Sequence, residues 1–338
     1  MPVNPIFEKK NVIVTGGAGF IGSHLCEKLL REAKVICIDN FVNSNERNID
    51  HLLQLPDFEF INADITQPID LEALPELEQF KLKFQGIQEI YHLACPTSIK
   101  NFEQFKMDTL TAQSVGTKNV LDLAVKYKAK FLFASSSVVY GPRRDESSFL
   151  REEDVGIVDQ LTPRACYDEG KRFGETMTET YRQVAGIDSK IARIFRTYGP
   201  RQRLFDGEMI PDFITDAIDG RDLVIYGDED FDTSLTFVAD VVDGLVKLMK
   251  APAGVGPMNI GTDGKVKIGD VAKMIIEMTG SKSKIAHEQS LLFLSPLGVP
   301  DIRKAKELLG WLPLVRIQDG LKKSIDYALA HKSLLGIS

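Results

Sequence analysis

The stretch "NVIVTGGAGFIG", residues 11–22, decides the fold. Its first half, NVIVTG (11–16), is a short apolar, β-branched run of the length of a buried strand. Its last three residues open "FIGSHLCEKLLREA" (20–33), whose apolar positions recur at the spacing of an amphipathic helix. Between the two, Gly16, Gly19 and Gly22 stand in the pattern G-x-x-G-x-x-G. Glycines at such a turn let the backbone approach a pyrophosphate, and the free N–H groups of the helix start favour its charge. A glycine pattern alone marks only a turn. Set between a strand and a helix, it has the context a dinucleotide site requires.

Moving outward, "KVICID" (34–39) predicts the next strand, and its last residue, Asp39, lies about twenty residues beyond the glycines. A carboxylate there can accept hydrogen bonds from both ribose hydroxyls and would repel a 2′-phosphate, which favours NAD over NADP. A strand-end turn residue would read the same. The runs "FEFINAD" (58–64), "IQEIYHLA" (87–94), "KFLFASS" (130–136) and "SKIARIF" (189–195) repeat the theme, with helical patterns between most of them. Continuous apolar strands separated by helices predict an α/β fold, a Rossmann-type doubly wound parallel sheet covered on both faces. The charged segment "LEALPELEQFKLKFQG" (71–86) reads as a surface insertion.

After about residue 197 the strict alternation stops, starting with the Gly/Pro/Arg-rich "YGPRQRLFDGE" (198–208). We expect an NAD-binding domain over 1–196 and, over 197–338, mainly a smaller C-terminal substrate-binding lobe that can return segments to the first domain. The chain has 338 residues, beyond the size at which a single core stops growing. Hydrophobic residues are 43% and charged residues 26%, ordinary values for a soluble globular protein. The net charge of −7 argues against nucleic acid or an anionic membrane as general partner. No apolar run reaches membrane length and no signal segment is evident, so a cytoplasmic protein is expected. Cys26, Cys37, Cys95 and Cys166 are scattered without C-x-x-C spacing, which predicts buried free thiols and no metal or disulfide framework.

In "TPRACYDEGKR" (162–172), Tyr167 and Lys171 share a helix face by their four-residue spacing. Most such pairs are solvated surface. Together with "TGGAGFIG", "HLA" (92–94) and "SSSVVYG" (135–141), however, the chain resembles the extended short-chain dehydrogenase/reductase family, which acts on nucleotide sugars. More narrowly, "HLACP", "PRACYDEGKR", "ARIFRTYGPR" and "PDIRKAKELLGW" resemble UDP-glucuronate decarboxylases, and the likeness covers nearly the whole chain. It implies that Tyr167 takes the proton of the sugar 4-hydroxyl, that Lys171 stabilises the phenolate and holds the nicotinamide ribose, and that Ser136 hydrogen-bonds the same hydroxyl. Hydride passes to NAD, giving a 4-keto sugar, and returns later. Cofactor contacts are then expected from Gly16, Gly19, Phe20, Ile21, Gly22, Asp39, Asn40, Asp64, Ile65, Leu93 and Ala94, with Asp64 and Ile65 bordering the adenine. The resemblance further implies a UDP-sugar partner and a homodimer formed through a helix pair, the Tyr167–Lys171 helix being one candidate.

The chain departs from the family where substrate should sit. Decarboxylases carry S-E-V-Y-G, and here Val138 replaces the Glu; 4,6-dehydratases carry Asp-Glu, and here Ser137 and Val138 stand there. At this point the chain reads more like a 4-epimerase. Arg196 replaces the Asn of R-x-F-N, Thr233 replaces a diphosphate-clamping Arg, and Gly298 replaces another Arg. Gln113 stands for an Asn that supports the tyrosine through water. We expect Arg196 to take over the anion binding lost at Thr233, and Arg201 and Tyr226 to border the nucleotide. His92 and Cys95 read as packing residues. Decarboxylase and UDP-sugar 4-epimerase both remain open, followed by dehydratase, carbonyl reductase and a non-catalytic NAD-binding protein.

Overall fold

The computed structural model describes residues 9–97, 103–142, 149–289 and 298–332. Seven parallel strands form its central sheet: β1 (Lys10–Thr15), β2 (Ala33–Asp39), β3 (Phe58–Asn62), β4 (Glu89–His92), β5 (Lys130–Ser136), β6 (Ser189–Ile194) and β7 (Pro257–Ile260). Their order across the sheet is β7-β6-β5-β4-β1-β2-β3. The order reverses between β1 and β4, so a crevice opens beyond their carboxyl ends. Side chains alternate faces along each strand: Val12 and Val14 pack into one hydrophobic layer and Ile13 into the other. Both faces are covered, which is why the strands read as unbroken apolar runs.

One layer holds α1 (Phe20–Leu29), whose Leu25, Cys26 and Leu29 are buried against Val12, Val14 and Val35. The helix ends at Leu29, sooner than expected, because β2 already begins at Ala33. The other layer holds α2 (Thr117–Tyr127). The segment expected as a surface insertion belongs to this layer too. It forms short 3-10 turns and one α-helical turn (Leu82–Gln85), whose Leu71, Leu77, Phe80 and Leu82 are buried in this layer with Ile13 and Ile90, while its charges face outward. The long helix α3 (Ala165–Ala185) follows and leads into β6.

Beyond β6 come α4 (Met209–Asp219), α5 (Val238–Lys250), α6 (Ile268–Thr279) and α7 (Ile317–Ala330). Region 197–338 also supplies β7 to the sheet, in parallel register with β6 (Met258 beside Ala192). Within the second half Thr197–Tyr198 pairs with Thr236–Phe237, and the pairing of Phe149–Leu150 with Val299–Pro300 ties the halves together. Trp311, fully buried, donates its indole N–H to the Asp240 carbonyl at 3.0 Å. Among the described residues no helix is long and apolar enough to cross a membrane.

Candidate active site

The glycine turn is built as tightly as its sequence implies. Gly16 adopts φ +71°, and a Cβ there would lie 2.7 Å from the Ala94 amide nitrogen of the neighbouring β4 loop. A Cβ on Gly22 would lie 2.1 Å from the Gly16 carbonyl oxygen. Only glycine fits either place. Asp39 closes the turn from the side. Its Oδ2 accepts from the Ala18 amide at 3.0 Å, and its Oδ1 from the Phe41 amide at 3.0 Å and the Ser44 hydroxyl at 2.7 Å. A carboxylate has roughly four lone-pair sites, so about one remains for a ribose hydroxyl. The expectation that Asp39 serves both hydroxyls is therefore reduced: much of its capacity orders the loop.

These residues open on a cavity of about 830 Å³ that runs across the crevice. Gly16, Gly19, Phe20, Ile21, Gly22, Asp39, Asn40, Asp64, Ile65, Leu93 and Ala94 line it, and so do Ser136, Ser137, Val138, Tyr167, Lys171, Arg196 and Arg201. Two expected substrate residues are not among its lining. Thr233 is buried behind the wall, where its hydroxyl accepts from Arg196 Nη1 at 3.2 Å. Tyr226 ends the strand Leu223–Tyr226, whose alternation buries Leu223 and Ile225 and turns Tyr226 outward.

Tyr167 and Lys171 occupy adjacent turns of α3 on the face toward β5. The helix is pinned there by side chains rather than by propensity. Lys171 Nζ donates to the Ala134 carbonyl at 2.7 Å, and Glu175 accepts from Ser135 at 2.5 Å and from Arg193 at 2.8 Å. The Ser136 hydroxyl is near enough to the Tyr167 phenol to favour its ionised form. Burial pushes the Tyr167 phenol well above its usual range, the nearby Cys95 thiol adds to this, and Ser136 and Arg164 oppose it. Burial likewise lowers Lys171. The Lys171 ammonium lies 5.7 Å from the Tyr167 ring centre and gives one of its three N–H groups to the Ala134 carbonyl.

Several residues were not legible as site residues. Cys95, expected in the core, lines the cavity beside Tyr167, and burial raises its thiol. Arg164 places its guanidinium carbon 5.9 Å from the Tyr167 ring centre and binds Asp168 at 3.0 Å. Glu208, at the start of α4, faces the same cavity. His92 is a packing residue as expected: it bridges Thr15 (2.7 Å) and Thr117 (3.1 Å), and burial lowers it to about 3. Gln113 sits buried in a π turn (Ala112–Gly116), packed against Gly170 between Tyr167 and Lys171.

The family model described as "NAD dependent epimerase/dehydratase family" matches residues 12–261. This chain belongs to the NAD-dependent epimerase/dehydratase family. It is an NAD-dependent enzyme, and the glycine cradle and Asp39 fit that cofactor's pyrophosphate and ribose. Among curated relatives, UDP-glucuronic acid decarboxylase 1 of Xenopus tropicalis is 39% identical over 329 residues, covering 96% of this chain and 74% of the relative. Among solved structures, an epimerase from Methanothermobacter thermautotrophicus superimposes with a TM-score of 0.85 at 26% identity, covering 98% of this chain and 96% of that one. The UDP-glucuronic acid 4-epimerase of Bacillus cereus, in complex with UDP-glucuronic acid and NAD, gives 0.81 at 29% identity, covering 95% and 99%. The resemblance read from the motifs and the family match agree.

Proposed function

We propose that this enzyme oxidises C4 of a UDP-sugar to a 4-keto intermediate and returns the hydride after the ketone has reacted. The observation that carries this reading is the meeting of Tyr167, Ser136 and Lys171 in the cavity that also holds the glycine cradle. When bound, NAD supplies the hydride acceptor and later the donor. The protein's own part is proton transfer and positioning. Tyr167 takes the proton of the sugar 4-hydroxyl while Ser136 holds both oxygens in line. Lys171, fixed by Ala134, favours the phenolate electrostatically. Arg196 stands in for the clamp missing at Thr233: its hydrogen bond to Thr233 brings the guanidinium to that wall, where its fork suits a phosphate.

For the fate of the ketone, the first reading is decarboxylation of UDP-glucuronate, supported by relatives at 36–40% identity over 92–96% of the chain. A carboxylate at C5 is a β-keto acid once C4 is oxidised. Carbon dioxide leaves, the bonding electrons pass to the ketone oxygen, and C5 regains a proton. The ketone is the electron sink, so the step does not depend on a Glu at position 138. The second reading, 4-epimerisation, is favoured by Val138, which is apolar and buried where decarboxylases carry that Glu.

Incubation with NAD and UDP-glucuronate, read by mass and NMR, tests both. A product lighter by carbon dioxide is expected, without net NADH. An isobaric product selects the epimerase, and no turnover of any UDP-sugar rejects the proposal. We also propose a homodimer through α3 and the adjacent helix spanning 106–127, whose Phe173, Met107, Leu110 and Val115 are exposed apolar residues. Sedimentation equilibrium is expected to give twice the chain mass.

A further inference from the structure

Glu208 occupies the N-cap position of α4, a place favoured by the short side chains of Ser, Thr, Asp and Asn, which reach the first free amides of the helix. Its side chain makes no such cap hydrogen bond. Glu208 lines the cavity, and so does Arg196. Each feels the other's charge, yet among the described residues they form no ion pair and the Arg196 side chain has one hydrogen bond, to Thr233. An acidic and a basic side chain that line one cavity without pairing are an arrangement open to a ligand. Burial pushes the Glu208 carboxyl up, Arg196 pulls it down, and Asp206 and Asp212 push it up further. Arg164, which stands over Tyr167, also acts on both Arg196 and Glu208, which places the pair in the neighbourhood of the reacting tyrosine.

The two groups require different chemistry from one ligand. Arg196 offers donors to an anionic oxygen. Glu208, with Asp206 and Asp212 near it, repels anions and accepts from hydroxyls. We propose that Glu208 is a specificity-determining residue that accepts a hydrogen bond from a sugar hydroxyl of the nucleotide-sugar substrate, while Arg196 takes a phosphate oxygen of the same molecule. The inference rests on the nucleotide-sugar reading above and goes beyond it by assigning the sugar contact to a residue outside the Tyr167–Ser136–Lys171 centre.

Calorimetric titration of the NAD-loaded enzyme with UDP and with UDP-glucuronate separates the roles. Glu208→Ala is expected to weaken UDP-glucuronate about tenfold or more while UDP binding stays within about twofold, and Glu208→Gln to restore part of the loss. Arg196→Gln is expected to weaken both ligands to a similar degree. In the wild type, UDP-glucuronate affinity falls as pH drops and the carboxyl protonates; Glu208→Gln removes that limb. If both Glu208 variants lose UDP and UDP-glucuronate equally, or gain both because Arg196 is released, the sugar assignment is overturned and the function stands. Wild-type enzyme that binds neither UDP nor UDP-glucuronate overturns the function and this inference together.

Discussion

Tyr167 is subject to opposing influences, and their balance sets a testable pH dependence. Burial holds the phenol protonated and Ser136 and Arg164 work against that, while the Lys171 ammonium lies 5.7 Å from the ring centre. As a base Tyr167 acts only when ionised, so kcat/KM is expected to rise with pH through its operative pKa. Removing a cation raises that pKa. Lys171→Met should therefore move the rising limb to higher pH and lower the neutral-pH rate by about 10²-fold, and a limb that stays in place would exclude the electrostatic role. At this scale sequence reading reached the residues that belong to a spaced motif, namely the glycines, Asp39, Ser136, Tyr167 and Lys171. Arg164 lay inside the quoted "PRACYDEGKR" and Glu208 inside "YGPRQRLFDGE", but their side chains enter the cavity by tertiary placement alone. Cys95 reads as a core thiol in the sequence because no obvious base stands beside it there. Tyr226 was misplaced for the reverse reason, since a four-residue strand leaves the direction of its last side chain to its pairing with Ile285–Glu288.

Helix α3 turns the tyrosine–lysine pair from a surface pattern into a site, and its packing on β5 is where that can be broken. A Cβ on Gly174 would lie 2.3 Å from a Phe133 ring carbon, and Phe133 is itself buried beside His92. The ring has nowhere to go. Gly174→Ala is expected to lift α3 from the sheet, destabilise the fold by about 1–3 kcal/mol, and lower kcat by separating Tyr167 from Ser136. Shortening the ring in Gly174→Ala/Phe133→Leu should recover part of both losses. Denaturant melts and steady-state rates of the four proteins in this cycle measure the coupling, and strictly additive losses would show that the contact does not set the helix position. Elements of this size were the most legible part of the chain. β5 falls on the predicted 130–136, and the other predicted strands lie within a few residues, because each is carried by a short run rich in buried apolar residues. The 71–82 region escaped because 3-10 turns carry neither a 3.6-residue nor a two-residue period, so buried Leu71, Leu77 and Phe80 were hidden among glutamates.

The topology of the whole molecule places the cavity between the carboxyl ends of the sheet and the elements beyond β6, and the seventh strand joins those parts. Nothing in "PMNI" (257–260) announces a strand, since it is short, begins with proline and follows a long run of helices and turns. Its place is fixed by long-range hydrogen bonds. Asn259 accepts from the Tyr140 hydroxyl at 2.7 Å and donates its amide to the Leu150 carbonyl at 2.9 Å and the Asp301 carbonyl at 3.1 Å, while its backbone N–H meets Glu152 at 2.9 Å. One buried amide thus ties β7 to the turn after Ser136, to the Phe149–Leu150 strand and to the segment leading into the C-terminal helices. Asn259→Leu has a similar volume but takes the acceptor from the buried Tyr140 hydroxyl and this donor from the Asp301 carbonyl, while the Leu150 carbonyl keeps the Asp301 amide at 2.8 Å. Each unpaired buried group costs about 1–3 kcal/mol, partly relieved by water. A loss of about 2–4 kcal/mol is expected in denaturant unfolding, with a fall in kcat, because Tyr140 closes the Ser137–Tyr140 turn that sets Ser136 against Tyr167. Asn259→Asp keeps the acceptor for Tyr140 but loses the donors to Leu150 and Asp301, so its kcat should fall less than that of the leucine variant even where its stability does not recover. Stability within about 0.5 kcal/mol of wild type in the leucine variant would mean that apolar packing alone holds the seventh strand.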